Sequence, residues 1–222
     1  MKDDTDWLGR WKEGKIGWHS ESINVTLIKH NNILGLEEGD TVFVPLCGKS
    51  KDMVHFLQQG VRVIGVEVSE LGVKQFFDEN LIKYSVKEIE KFIVYYNDNI
   101  SIYCGDFFNL SAELLESIHV TYDRASLIAL PKELRRNYVR HLQTIIPNNS
   151  SMLLLTLNYP QSQMNGPPFA VNEGEVNLLY SEYFDYQLLE CTDDTDFGSK
   201  FRHAGVDFVQ SSAYYLFKKK VS

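Results

Sequence analysis

The chain has 222 residues, 44% of them hydrophobic and 23% charged, which is the balance of a globular protein able to build its core without staples. A formal net charge of −8 argues against a nucleic-acid partner, which requires a basic face. The three cysteines (Cys47, Cys104 and Cys191) are far apart with no CxxC spacing, there is no apolar run near the roughly 20 residues of a membrane span, and the start MKDDTDWLGRW is too charged for a signal peptide. These features predict a cytoplasmic protein with reduced thiols and no membrane partner.

Strand-like and helix-like stretches alternate along the chain. TVFVPL (41–46) is a short apolar strand ending at Cys47-Gly48. SKDMVHFLQQG (50–60) has apolar residues at helical spacing and stops at Gly60. VRVIGVEVS (61–69) reads as a buried strand, and 70–80 as a helix capped by Ser69. Two β-rich runs flank Asn97-Asp98-Asn99, so 91–108 is expected to form a hairpin whose second arm is a core strand. A helix over 110–118, a strand over 119–126 and a helix opened by Pro131 follow. SMLLLTLNY (151–159) is the most apolar strand; a Gly166-Pro167-Pro168 loop and a helix near 173–181 come after it. YQLLECTD and SAYYLFKKK close the chain as two strands with no helix expected between them, separated by a polar loop that includes TDDTD (192–196). The alternation predicts one α/β domain over 1–222, a mostly parallel sheet with helices on both faces and an antiparallel edge hairpin.

The first turn, FVPLCGKSKD (43–52), ends like a phosphate-binding P-loop. That motif needs a glycine at the position of Phe43, and the dinucleotide motif needs further glycines after Gly48. Both fail, which leaves a nucleoside ligand without phosphates. Such a ligand needs one close-approach glycine, Gly48, and an acid at the end of the second strand for its ribose hydroxyls. Glu67 lies 19 positions after Gly48, the expected strand-to-strand distance. S-adenosylmethionine fits this pattern; the alternative is a glutamate that merely ends a strand. Asp106 and Phe107 follow the next strand, where an acid and a ring can meet an adenine, although Asp106 could equally be a turn cap. Arg124 ends a strand and points toward the crevice unless it pairs with Asp123. Cys47 reads as a small buried filler, and the six histidines make no metal-ligand set. Asp196-Phe197-Gly198 copies a kinase tripeptide by chance.

Several segments together resemble the thiopurine S-methyltransferase family, and its bacterial branch in particular. They are W-x3-W-x6-W-H (Trp7, Trp11, Trp18, His19), PLCGK (45–49), GVEVSELGV-x2-FF (65–77), ISIYCGDFF (100–108), YDRASLIALP (122–131), RRNYVRHL (135–142) and QSQMNGPPFAV (161–171). The resemblance implies a seven-stranded Rossmann-like class I fold, S-adenosylmethionine as cofactor and methyl transfer to sulfur or similar soft atoms. It implies that Trp11 covers the cofactor and that Leu46 and Gly48 line its methionine and ribose side. Glu67 would take the ribose hydroxyls, Asp106 and Phe107 the adenine, and Arg124 would lie between the cofactor carboxylate and the substrate. Trp18 stands where the family usually has Phe, against the substrate ring; Arg202 matches a second arginine near the substrate, in a variable loop. The segment 1–35 would be a helical lid, although Trp7 and Trp11, one helical face, could simply pack on the domain. Expected acceptors are small aromatic or heterocyclic thiols. Selenium or tellurium oxyanions and halides are alternatives, a non-catalytic cofactor-binding protein is another, and a monomer is expected.

Overall fold

A computed structural model of the chain describes residues 6–115, 117–194 and 198–219. The amino-terminal charges, most of the acidic loop's end and the first two residues of the kinase-like tripeptide lie outside these. Nine strands form one sheet: β1 (Thr41–Val44), β2 (Arg62–Glu67), β3 (Ser85–Ile89), β4 (Phe92–Tyr96), β5 (Ile100–Cys104), β6 (Val120–Arg124), β7 (Ser151–Asn158), β8 (Phe184–Asp193) and β9 (Gln210–Lys218). Their order is β3-β4-β5-β2-β1-β6-β7-β9-β8. The five central strands, β5 to β7, run parallel and the outer pairs are antiparallel. All four residues of β1 are buried, because helices cover both faces and no side can be polar.

Helices α1 (Trp7–Lys12), α2 (Val25–His30), α3 (Lys51–Gln58), α4 (Glu70–Glu79), α5 (Lys132–Ile145), α6 (Glu173–Tyr180) and α7 (Ser199–His203) fall largely where the periodicity places them. Ser50 and Ser69 cap α3 and α4 by accepting the Asp52 and Gly72 N–H groups. One core, with Phe56, Val73 and Phe76, packs α3 and α4 on one face; the other, with Tyr138, Leu142 and Val176, packs α5 and α6 on the opposite face. At Asn97 the side chain accepts the Asn99 and Ile100 N–H groups, which closes the expected hairpin as an Asx turn.

Three expectations need correction. The sheet has nine strands, since β3 and β4 extend an edge beyond the seven expected. β3 escaped notice because SVKEI is almost wholly exposed and carries no apolar pattern. The stretch 110–118 forms only a 3₁₀ turn at Ala112–Leu115 where a helix was expected; a segment this short does not offset the cost of helix nucleation. In the closing hairpin, β9 lies against β7 and β8 takes the edge, and the connection between them contains α7. Among the described residues, no helix is long and apolar enough to cross a membrane.

The strand order reverses between β2-β1 and β1-β6, so a crevice opens at the carboxyl ends of β1, β2, β5 and β6. Leu46, Glu67, Asp106 and Arg124 all border it.

Candidate active site

The turn after β1 curls tightly: Leu46 and Gly48 both have positive φ, 45° and 53°. A non-glycine residue held in this region is strained, which is common at ligand sites. The Cys47 N–H donates to Val66 O at 2.9 Å, which lays the turn along β2. The Gly48 N–H then donates to Glu67 Oε2 at 2.9 Å, and the Ser69 N–H to Oε1 at 2.8 Å. Burial pushes the Glu67 carboxyl up, while backbone N–H groups and the Trp11 indole oppose that rise. Each oxygen therefore has a fixed donor and still has room to accept another. That arrangement suits a pair of vicinal ribose hydroxyls. Beside it Val68 is 40% exposed and borders the crevice, an apolar platform beside the carboxylate that the sequence pattern did not single out. Lys49, the residue of the false P-loop, is spent on Glu79 at 2.6 Å. Burial, and next the charge of Glu67, keeps the Cys47 thiol protonated, consistent with a filler.

Asp106 is exposed, and its Oδ1 accepts the Phe108 N–H at 3.0 Å, so it caps a 3₁₀ turn while bordering the crevice. Phe107 borders the crevice too, but its ring is buried and packs on Tyr138, with centroids 4.8 Å apart. It forms part of the crevice floor and is not a free stacking face. The exposed ring here belongs to Phe108.

On the other side of β1, Asp123 and Arg124 point to opposite faces, as strand neighbours must. Asp123 faces the core, where its carboxylate accepts from the Tyr138 hydroxyl at 2.7 Å and the Leu127 N–H at 3.1 Å. The Asp123–Arg124 ion pair is thus absent, and among the described residues nothing hydrogen-bonds or ion-pairs with the Arg124 guanidinium. The following Ala125 also has positive φ, 64°, and the Ser126 hydroxyl donates to Pro45 O at 2.6 Å, tying the two strained turns together.

Burial pushes Asp123 from 3.8 up to about 6, against the Tyr138 and Leu127 donors. The folded chain therefore holds this proton more tightly than the unfolded chain. The group's contribution to stability is full below 3.8, is lost as pH rises to about 6, and is level above. The variant Asp123→Asn cannot ionise. Its stability relative to wild type, from urea midpoints, is expected to rise across that window and then flatten; a flat difference throughout would contradict this assignment.

Three indoles roof the crevice. Trp18 meets Trp7 and Trp11 edge-on, with centroids 5.3 and 5.7 Å apart. Trp11 is only 4% exposed and sits on Gly72 of α4, where an added Cβ would be 2.7 Å from its ring. Gly72→Ala is expected to favour α4 by about 0.5–1 kcal/mol of helix propensity yet to unseat Trp11. Titration with S-adenosylhomocysteine should then show weaker binding, with a changed tryptophan emission; unchanged affinity would show that the seat is irrelevant. Arg202 is exposed on α7 and does not border the crevice, whereas Lys200 and Phe201 do. Arg10, Thr156 and Glu190 also border the crevice and carried no sequence signal. The whole cleft is about 1360 Å³, beyond the usual size of a single small-ligand pocket.

The fold matches solved structures of low sequence identity. A SAM-dependent methyltransferase from Anabaena variabilis superimposes with a TM-score of 0.64 at 14% identity, covering 99% of this chain and 98% of that one. A 1,6-didemethyltoxoflavin-N1-methyltransferase from Burkholderia thailandensis gives 0.60 at 13%, covering 96% and 86%. The fold is thus that of a class I S-adenosylmethionine-dependent methyltransferase. Sequence relatives are far nearer. The thiopurine S-methyltransferase of Nitrosospira multiformis is 43% identical over 212 residues, 95% of this chain and 96% of the relative. That of Shewanella frigidimarina is 40% identical over 213 residues, 96% and 97% of the two chains. The Thiopurine S-methyltransferase (TPMT) family model matches residues 2–220. The chain belongs to the thiopurine S-methyltransferase family and is an S-adenosylmethionine-dependent methyltransferase.

Proposed function

We propose that this enzyme methylates small aromatic or heterocyclic thiols of the thiopurine type. Glu67 would hold the ribose hydroxyls, the Leu46–Gly48 backbone the methionyl side, and Val68, Asp106 and Phe107 the adenine end, with Trp11 closing over them. When bound, S-adenosylmethionine supplies a methyl group already activated on a sulfonium. The acceptor sulfur forms the new S–CH3 bond as the sulfonium S–CH3 bond breaks, and its proton goes to solvent. No strong base is required, because the Arg124 guanidinium favours the thiolate over the thiol. Its guanidinium would also orient the anion and the cofactor carboxylate. Trp18 offers a ring face and edge to the acceptor.

The observation that carries this reading is the Arg124 guanidinium, free of any carboxylate among the described residues and set in the same cleft as a pre-positioned Glu67. Incubation with methyl-labelled cofactor and 6-mercaptopurine should give a labelled thioether. Label appearing only in methylated selenite or tellurite, or in a methyl halide, with none in the thiopurine, would replace the thiol assignment.

A further inference from the structure

Of the cations that border the cleft, Lys15 and Lys49 are paired with Glu13 and Glu79, which leaves Arg10 and Lys200 besides Arg124. Arg10 comes from α1 and Lys200 from α7, 190 positions further on. Among the described residues, the two carboxylates nearest Arg10 are already engaged elsewhere. Glu13 is paired with Lys15 at 2.6 Å, and Asp6 is turned to the Gly9 N–H at 2.8 Å as the cap of α1. Arg10 lies over the Trp7 ring, 5.9 Å from its centroid, and no carboxylate pairs with it among the described residues. The Lys200 ammonium donates to the Pro167 carbonyl, which also borders the cleft. Arg10 and Pro167 also line one adjoining hollow, so the Lys200 acceptor and the Arg10 side chain share a wall; burial, and next the Arg10 charge, holds the Lys200 pKa down.

Two like charges on one cleft, with no carboxylate paired to either among the described residues, are costly. An anion spanning both relieves that cost and gains charge-assisted hydrogen bonds. The guanidinium offers a planar fork on an aromatic face and the ammonium offers a point charge, a combination suited to a planar carboxylate.

We infer that Arg10 and Lys200 form an acceptor subsite for an anionic substituent, so that the preferred thiols are carboxylate-bearing aromatics held at the rim while their sulfur lies at Arg124. This rests on the thiol reading above.

The test uses isosteric pairs. With S-adenosylhomocysteine present, 4-(methylthio)benzoate and the neutral 4-(methylthio)benzamide are titrated by tryptophan quenching. In parallel, 4-mercaptobenzoate and 4-mercaptobenzamide are compared as acceptors. The carboxylate should bind about tenfold tighter than the amide, the value of one hydrogen bond to a charged group, and kcat/KM should show the same preference. Both preferences should shrink toward parity in Lys200→Gln and in Arg10→Gln. Parity in the wild-type protein, or a preference that survives both substitutions, overturns the inference. Weaker S-adenosylhomocysteine binding in both variants, with the carboxylate-to-amide ratio intact, would assign the pair to the cofactor carboxylate and also overturns it. Failure of both mercapto compounds to be methylated, with cofactor binding intact, would instead overturn the thiol reading.

Discussion

Glu67→Ala is expected to weaken S-adenosylhomocysteine binding by about 1–3 kcal/mol, roughly five- to 150-fold in calorimetric titration. The carboxylate is 6% exposed and is held by the Gly48 and Ser69 N–H groups, so it meets a ligand hydroxyl without having to be ordered first. Its removal costs twice. The ligand loses its charged partner, and two buried N–H groups lose their acceptor, which should lower stability by a further 1–3 kcal/mol or so. Glu67→Gln helps to separate the two: the amide keeps the shape but presents donors where Gly48, Ser69 and Trp11 already donate. Both variants should lose affinity, with Gln retaining more stability than Ala. An unchanged dissociation constant in either variant would remove Glu67 from the cofactor site.

The second large effect is at Arg124. Replacement by Gln should lower kcat by on the order of a hundredfold, the usual loss when a preorganised stabilising group is removed. The deficit should depend on pH in a definite direction. A cation beside the acceptor lowers the thiol pKa, so without it the thiolate forms only at higher pH. The gap between variant and wild type should therefore be widest at low pH and narrow as pH rises. Arg124→Lys keeps the charge but loses the planar fork, and should recover part of the rate. A pH-independent loss, equal in Lys and Gln, would mean that Arg124 acts by shape alone. Asp123 cannot take over, because its carboxylate is committed to Tyr138 and Leu127 in the core.

Much of this site was legible in the sequence for a topological reason. Alternating strands and helices require parallel strands, and parallel strands bring their carboxyl ends together. Glu67, Asp106 and Arg124 could therefore be assigned to one crevice without knowing a single contact. Side-chain direction was less accessible. Phe107 follows a strand end as a stacking residue should, but its ring turned to Tyr138, a partner 31 positions away that no local pattern reveals. Arg202 and Lys200 illustrate a second limit. Two positions on a helix differ by roughly 200°, so residues this close face opposite ways once α7 forms. The polar connection gave no periodicity from which to foresee that helix. Arg10 and Lys200 border one cleft only because the fold brings α7 back to the side of α1. β3 was missed for the opposite reason: an exposed edge strand needs no apolar face and so leaves no hydrophobic signature.

The most direct measurement is a crystal structure of the protein with S-adenosylhomocysteine. The ribose hydroxyls should both lie within about 3.2 Å of the Glu67 carboxylate, with Gly48 and Ser69 still donating to it and the ligand sulfur on the side of the cleft lined by Leu46 and Arg124. A ligand whose ribose lies away from Glu67, with that carboxylate bonded only to Gly48, Ser69 and Trp11, would contradict the assignment of the cleft.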